Sequence, residues 1–312
     1  MGKWGVIMLW LILFVIVLFF GGTYCFYWIA FYNPESRHLE PVRTKWSRHF
    51  RREEMLSQSM EALPFEQVWI TSRDGLRLCG RYYHICHGAP LLIQFHGYRG
   101  NGFRDCSAGN HVARHLGYNT LVVDQRAHGM SQGDTMTFGI RERWDCVCWA
   151  EYARNRFGPE IPIFLYGVSM GAATVLMTQE LPLPENVAGI IGDCPYSSPV
   201  GIIRKICRDI HIPEFLSVPL GRAAARLWGH FSLTEASAEE AVKHGKIPML
   251  LIHGTEDKYI LPEMSREIQA NCVVECFLEL FPGATHAGSC LTDMGRYSKV
   301  VASFVDFCLE RK

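Results

Sequence analysis

The sequence predicts an α/β fold: a mostly parallel, eight-stranded sheet with helices on both faces, a helical insertion, and an apolar membrane helix ahead of the domain. Three observations carry this reading. A stretch from Trp4 to Tyr32 holds 29 residues without a charge. After Pro64, short strand-like runs alternate with helical ones, the pattern of parallel strands covered by crossover helices. Residues 197–245 then lie between two strand candidates but are too long for a simple crossover.

The composition allows such a fold. A chain of 312 residues, 48% apolar and 20% charged, can bury a full-sized core, which excludes a disordered chain or a disulfide-held miniprotein. Lys+Arg and Asp+Glu are balanced at 31 each, so no field for a polyanion arises and nucleic acid is not an expected partner. The twelve cysteines are scattered through apolar runs such as Leu78-Cys79 and Phe307-Cys308, and read as reduced, mostly buried thiols.

A helix of 29 residues reaches about 43 Å, more than the roughly 30 Å of a hydrocarbon layer. Residues 4–32 are therefore expected to form a single-pass anchor, with Trp4, Trp10, Tyr24, Tyr27, Trp28 and Tyr32 towards its ends, where headgroups accommodate amphipathic rings. The alternative is a cleaved signal peptide. Its cleavage site would have to come from Gly21-Gly22-Thr23, which bulky Tyr24-Cys25-Phe26-Tyr27-Trp28 follow. Past the span lie Arg37, Arg43, Lys45, Arg48, Arg51 and Arg52, against Lys3 alone before it, which places the bulk of the chain in the cytosol at the cell membrane. Residues 33–64 read as a juxtamembrane helical linker with a solvated or headgroup-facing basic side.

From residue 65 to 312 the elements follow in order. Phe65 to Thr71 and Leu76 to Tyr83 flank Arg73-Asp74-Gly75, a tight hairpin turn. Six more strand candidates are Pro90 to Phe95, Asn119 to Val123, Ile161 to Tyr166, Val187 to Ile191, Pro248 to Ile252 and Cys276 to Leu280. Helices are expected near 104–116, 140–157, 170–181, 262–271 and 294–310, and residues 197–245 form the insertion.

The chemistry starts at Ile163-Phe164-Leu165-Tyr166-Gly167-Val168-Ser169-Met170-Gly171, an apolar strand that runs into Gly-x-Ser-x-Gly. A sharp strand-to-helix turn strains the serine backbone and exposes its hydroxyl at a helix amino end, and side chains at the two glycines would collide with their surroundings. Such a serine needs a base, and the base needs an acid. His286, on a loop after the last strand candidate, is the expected base. Asp257, just beyond the strand Pro248 to Ile252, is the expected acid, and Asp193, which ends another strand, is the alternative acid. Two amides should receive an oxyanion, that of Met170 after the nucleophile and that of Tyr98 in the glycine-rich loop His96-Gly97-Tyr98-Arg99-Gly100. His96 reads as a brace of that loop.

On these motifs, together with Asp124-Gln125-Arg126-Ala127-His128-Gly129-Met130-Ser131, the chain from about Glu66 onward resembles the α/β-hydrolase superfamily. Within it, the chain looks like membrane-anchored bacterial serine hydrolases grouped with serine aminopeptidase-like and dienelactone hydrolase-like proteins. The resemblance implies that Arg126 and His128 hold their loop and that 197–245 corresponds to a lid.

The expected activity is cleavage of an ester, thioester or related acyl bond through a Ser169-His286-Asp257 triad and an acyl-enzyme. Small acyl compounds are the expected substrates, lipidic or membrane-derived ones among them, with no metal or organic cofactor. Neither Cys146-x-Cys148 nor Cys272-x3-Cys276 has a matching second ligand pair nearby. Peptidase or amidase activity of the same fold is the alternative. A non-catalytic binding protein would need a damaged site, whereas every position here is chemically competent.

Overall fold

The structure, a computed structural model, describes residues 3–34 and 49–311. Eight strands form one sheet in the order β1-β2-β4-β3-β5-β6-β7-β8: β1 (Glu66–Thr71), β2 (Arg77–Tyr83), β3 (Leu91–Phe95), β4 (Asn119–Val123), β5 (Ile163–Val168), β6 (Val187–Asp193), β7 (Met249–Gly254) and β8 (Cys276–Phe281). β1 pairs antiparallel with β2, and β2 antiparallel with β4, while the pairs from β4 through β8 are parallel. All eight expected strands are present, their ends within two residues of expectation. The hairpin turns where expected, with Gly75 at φ 89° and the Ser72 hydroxyl donating to Asp74.

Side chains alternate across a strand, so each central strand feeds two cores. Leu91, Ile93 and Phe95 of β3, Ile163 and Leu165 of β5, and Met249 and Leu251 of β7 pack on one face with Trp149. Leu92, Phe164, Tyr166, Val168, Leu250 and Ile252 pack on the other, against the C-terminal helix. This double burial explains why these strands read as continuous apolar runs instead of alternating ones.

Helices α3 (Gly102–Asp105) and α4 (Ser107–His115) follow β3, α5 (Glu142–Phe157) follows β4, and α6 (Met170–Leu176) follows β5. The insertion after β6 supplies α7 (Pro199–Asp209), α8 (Glu214–Leu227) and the short α9 (Ala238–Ala241). Ser198 and Ser237 cap α7 and α9, each accepting a backbone N–H three residues on. α10 (Pro262–Asn271) follows β7, and α11 (Ser289–Thr292) and α12 (Met294–Leu309) complete the chain.

The amino-terminal region differs from a tether joined to a separate domain. α1 (Lys3–Ala30) is one helix long and apolar enough to cross a membrane. Its end is part of the domain core: Tyr27, and Phe31 just past the helix, are buried among Phe138, Tyr196, Ala224 and Phe231. Trp228 donates its indole N–H to Thr23 at 3.1 Å, and Gly221 of α8 lies against the Phe26 ring. The Asn33 amide donates to the Asp134 carbonyl at 2.7 Å, and Tyr32 bridges Thr135, so the chain does not separate into anchor and domain at residue 32. The linker expected across 33–64 falls partly outside the described residues, which omit 35–48 and with them Arg37, Arg43, Lys45 and Arg48. Its remainder forms α2 (Phe50–Glu61), which packs on the domain through buried Met60 beside Tyr83 and Val122. Arg52 donates to the Leu291 carbonyl at 3.0 Å.

Candidate active site

The centre of the site is the end of β5. Ser169 sits at φ 57° and ψ −115°, a conformation L-residues avoid, between buried β5 and the first turn of α6. The glycines on either side make this turn possible. A methyl group on Gly167 would run into the backbone of Gly171, and one on Gly171 into the Phe95 and His96 carbonyls of β3 and its loop.

His286, on the loop after β8, approaches with Nε2 3.0 Å from the Ser169 hydroxyl, while its Nδ1 lies 2.7 Å from Asp257 Oδ2. A carboxylate only accepts, so the ring proton belongs on Nδ1 and Nε2 is left to accept from Ser169. Asp257 is buried after β7, and its other oxygen accepts the amides of Tyr259 and Ile260 at 2.9 Å each. Burial alone would raise this carboxyl. Hydrogen bonds from His253 and His286 and the imidazole charge outweigh burial and hold it well below the usual carboxylate range.

Of the two carboxylates the sequence offers for the imidazole, the structure brings Asp257 to it. Asp193, at the end of β6, accepts from the Tyr297 hydroxyl at 2.9 Å, and burial pushes its carboxyl up to about 6. Tyr297 reaches in from α12, which leaves Asp193 part of the wall behind the site. Cys194 follows at φ 50°, its thiol raised by burial and its sulfur within 4.8 Å of donor atoms of Asp257 and His286.

The loop after β3 passes directly over the serine: a Cβ on Gly97 would stand 3.4 Å from Ser169 Cβ. Tyr98 follows Gly97 and lies beside Ser169, as does the Met170 amide, an N–H that an α-helix leaves without an intrahelical acceptor. Two buried imidazoles brace this loop. His96 bonds the Gly97 carbonyl through Nδ1 and accepts the Gln125 amide through Nε2. His128 bonds the Arg126 carbonyl through Nδ1 and accepts the Arg99 amide through Nε2. Arg126 bridges Asp145 and Asp74, which anchors the stretch from Asp124 to Ser131.

A family model for the alpha/beta hydrolase fold matches residues 90–209, from β3 through the serine turn into the insertion. The structure superposes on a Pyrococcus furiosus esterase, Pf2001, with a TM-score of 0.65 at 21% identity, covering 88% of this chain and 97% of that one. The chain has the α/β-hydrolase fold. Est1E of Butyrivibrio proteoclasticus, solved with ferulic acid bound, is similar with a TM-score of 0.60 at 20% identity, over 78% of this chain and 99% of that one. In sequence, an uncharacterized protein of Bacillus subtilis (strain 168), YqkD, is 26% identical over 252 residues, 80% of this chain and 82% of that protein.

In this fold the serine opens into a cavity of about 240 Å³ with almost entirely apolar walls. Tyr98, Phe138 and Met170 line it with Ser169, and Ile202, Ile203 and Ile206 of α7 line it as well. Of the insertion residues with an apolar side chain, these three line the cavity together with Cys207, Ile210 and Ile212, whereas Phe231 is buried in the core and Phe215, Leu216 and Leu227 are exposed. Sequence reasoning missed another part of the wall, which is α1 itself: Phe26, Ile29 and Ala30 line the cavity, as do Tyr196, Tyr259 and Ile260. The signal was the length of the apolar stretch, several residues more than a span needs.

The same helix end holds the loop over the serine. The Tyr98 hydroxyl donates to the Ala30 carbonyl at 3.0 Å, and Arg99 donates to the carbonyls of Ile29 at 2.8 Å and Tyr32 at 3.1 Å. A helix leaves its last carbonyls without partners and carries partial negative charge there. α1 has no basic residue in its last turn, so Arg99 supplies the cation.

Proposed function

We propose that this protein is a membrane-anchored serine hydrolase that cleaves an ester, thioester or related acyl bond through an acyl-enzyme. The observation that carries the reading is the continuous hydrogen-bond chain from Ser169 through His286 to Asp257. Ser169 Oγ attacks the acyl carbonyl while His286 Nε2 takes its proton, and Asp257 stabilises the imidazolium that results. The carbonyl oxygen gains the electron pair and is met by the amides of Met170 and Tyr98. Collapse of the tetrahedral adduct expels the alcohol or thiol, which receives the proton from Nε2. Water, deprotonated by the same nitrogen, then releases the acid and regenerates the serine.

The esterases among the similar structures support an ester over an amide as the bond cleaved. A fluorophosphonate probe should label the protein, and Ser169→Ala should abolish labelling and lower turnover of nitrophenyl esters by several orders of magnitude. Equal labelling of the alanine variant would remove the serine from the mechanism.

The anchor reading rests on α1 and on the burial of Thr23, Tyr27 and Phe31, which favours retention of the helix in the mature chain. The excess of Lys and Arg after the span supports a domain on the cytosolic side. Cys86 is exposed on the domain and should escape a membrane-impermeant maleimide in intact cells. Its modification there would reverse the orientation.

A further inference from the structure

We infer that the cavity draws its acyl chain laterally from the bilayer, so that the substrate is a membrane-dissolved acyl lipid and α1 is one side of its entry route. The inference rests on the acyl-hydrolase reading above and names the substrate class for that site.

The stretch Lys3–Gly22, which α1 holds largely clear of the domain, is about 30 Å long at roughly 1.5 Å per residue, close to the thickness of a hydrocarbon layer. The domain then closes on the helix from Thr23 onward, so whatever packs on residues 23–30 sits within a few turns of the membrane surface. That includes the lid. Trp228 stacks edge-on with Tyr24 at 5.1 Å and with Phe20 at 6.5 Å, and amphipathic rings at this level belong among headgroups.

The mouth of the cavity is apolar and open. Ile29 of α1 and Ile210 after α7 both line the cavity while remaining 65% and 61% exposed, which places them at its rim. Beyond them the lid tip exposes Phe215 at 82%, together with Ile212 and Leu216. An apolar surface at a cavity mouth and continuous with a membrane helix costs free energy in water and gains it in lipid.

Charge agrees with this placement. Residues 199–228 carry Arg204, Lys205, Arg208, Arg222 and Arg226 against Asp209 and Glu214, five positive and two negative, or +3 in a chain whose total is zero. Arg222 and Arg226 lie one helical turn apart on the exposed side of α8, beside the Trp228 that meets α1. Such a lid is attracted to an anionic leaflet. The cavity itself exceeds the roughly 150 Å³ that holds a benzene-sized guest, and its walls present no charged side chain. An acyl chain entering past Ile29 and Ile210 would bring its carbonyl to Ser169.

The full-length protein in vesicles of mixed zwitterionic and anionic phospholipid tests this. A bilayer-dissolved palmitoyl ester and a water-soluble butyryl ester are assayed with wild type, with Phe215→Glu/Leu216→Glu and with the milder Phe215→Ser. Turnover is normalised to the enzyme that a fluorophosphonate labels, so misfolded protein does not count. The expected result is a loss of at least tenfold on the palmitoyl ester for the double variant, a smaller loss for the single one, and butyryl turnover within about twofold of wild type. Unchanged palmitoyl turnover, or an equal loss on both esters per labelled enzyme, would overturn the entry route and leave the acyl chemistry standing. A wild type that neither labels nor cleaves the butyryl ester would remove both.

Discussion

The site has two walls built on different rules. One is the carboxyl edge of the sheet, where Ser169, Asp257 and His286 stand at the ends of β5, β7 and β8, and every polar atom in the Ser169–His286–Asp257 relay has an assigned partner. The other is α7 with the last turns of α1, whose isoleucines and phenylalanine offer shape and no direction. Hydrogen bonds fix positions to fractions of an ångström, whereas apolar contacts tolerate repacking. The contrast separates the tasks: the sheet edge should set the rate for every acyl chain, and the helical wall should set which chain is accepted.

The sharpest way to break that division is Asp257→Asn. The amide keeps an oxygen for the Tyr259 and Ile260 N–H groups, so the local turn survives. Its NH2 then faces His286, the imidazole takes the other tautomer, and Nε2 can no longer accept from Ser169. Turnover should fall by roughly four orders of magnitude, alike for short and long acyl esters. A loss that depends on chain length would show that the sheet edge also selects. Asp193→Asn, by contrast, should leave turnover within a few-fold, because Asp193 bonds Tyr297 and not the imidazole.

Arg99 tests the seam between the walls, since it ties the loop over Ser169 to the end of α1. Bonds from a charged donor contribute about 1.5–3 kcal/mol when partly shielded. Arg99→Met should lower kcat about tenfold by loosening the Tyr98 amide, with little change in KM for a short ester, and Arg99→Lys should recover part of the loss. An effect on KM alone would make Arg99 a pocket residue instead of a positioning one.

The two walls also differ in how far the sequence reveals them. Gly167 and Gly171 are required by backbone crowding within a few residues, and the strands announce themselves by apolar runs, so the fold and the serine turn were legible. His286 and Asp257 were legible because crevices form at strand ends of known order. Asp257 could be preferred to Asp193 because it lies on a glycine-rich loop free to turn, but the partner that holds Asp193, Tyr297, could not be read, since it lies 104 residues away in sequence. The role of Phe26, Ile29 and Ala30 was hidden for a different reason. An apolar helix surface looks the same in sequence whether lipid or protein covers it, and only the surplus length of the stretch from Trp4 to Tyr32 separated the two.

The smallest expected effect comes from the carboxylate behind the site. Asp193 is fully enclosed, its Oδ2 bonded to Tyr297 and its Oδ1 without a hydrogen-bond partner among the described residues. Burial raises its pKa to about 6, and the Tyr297 hydroxyl offsets only part of the rise. The unfolded chain releases this proton near pH 4, so between roughly pH 4 and 6 the folded state binds more protons and stability falls as pH rises. Above that window the whole penalty stands, on the order of 2–3 kcal/mol from the shift. Asp193→Asn carries no such charge. In thermal unfolding of the detergent-solubilised protein, its advantage over wild type should grow from pH 4 to 6 and then level off. If wild type instead gained on the variant across that range, Asp193 would be a paired charge that stabilises the sheet edge, and the wall behind His286 would belong with the polar machinery in front of it.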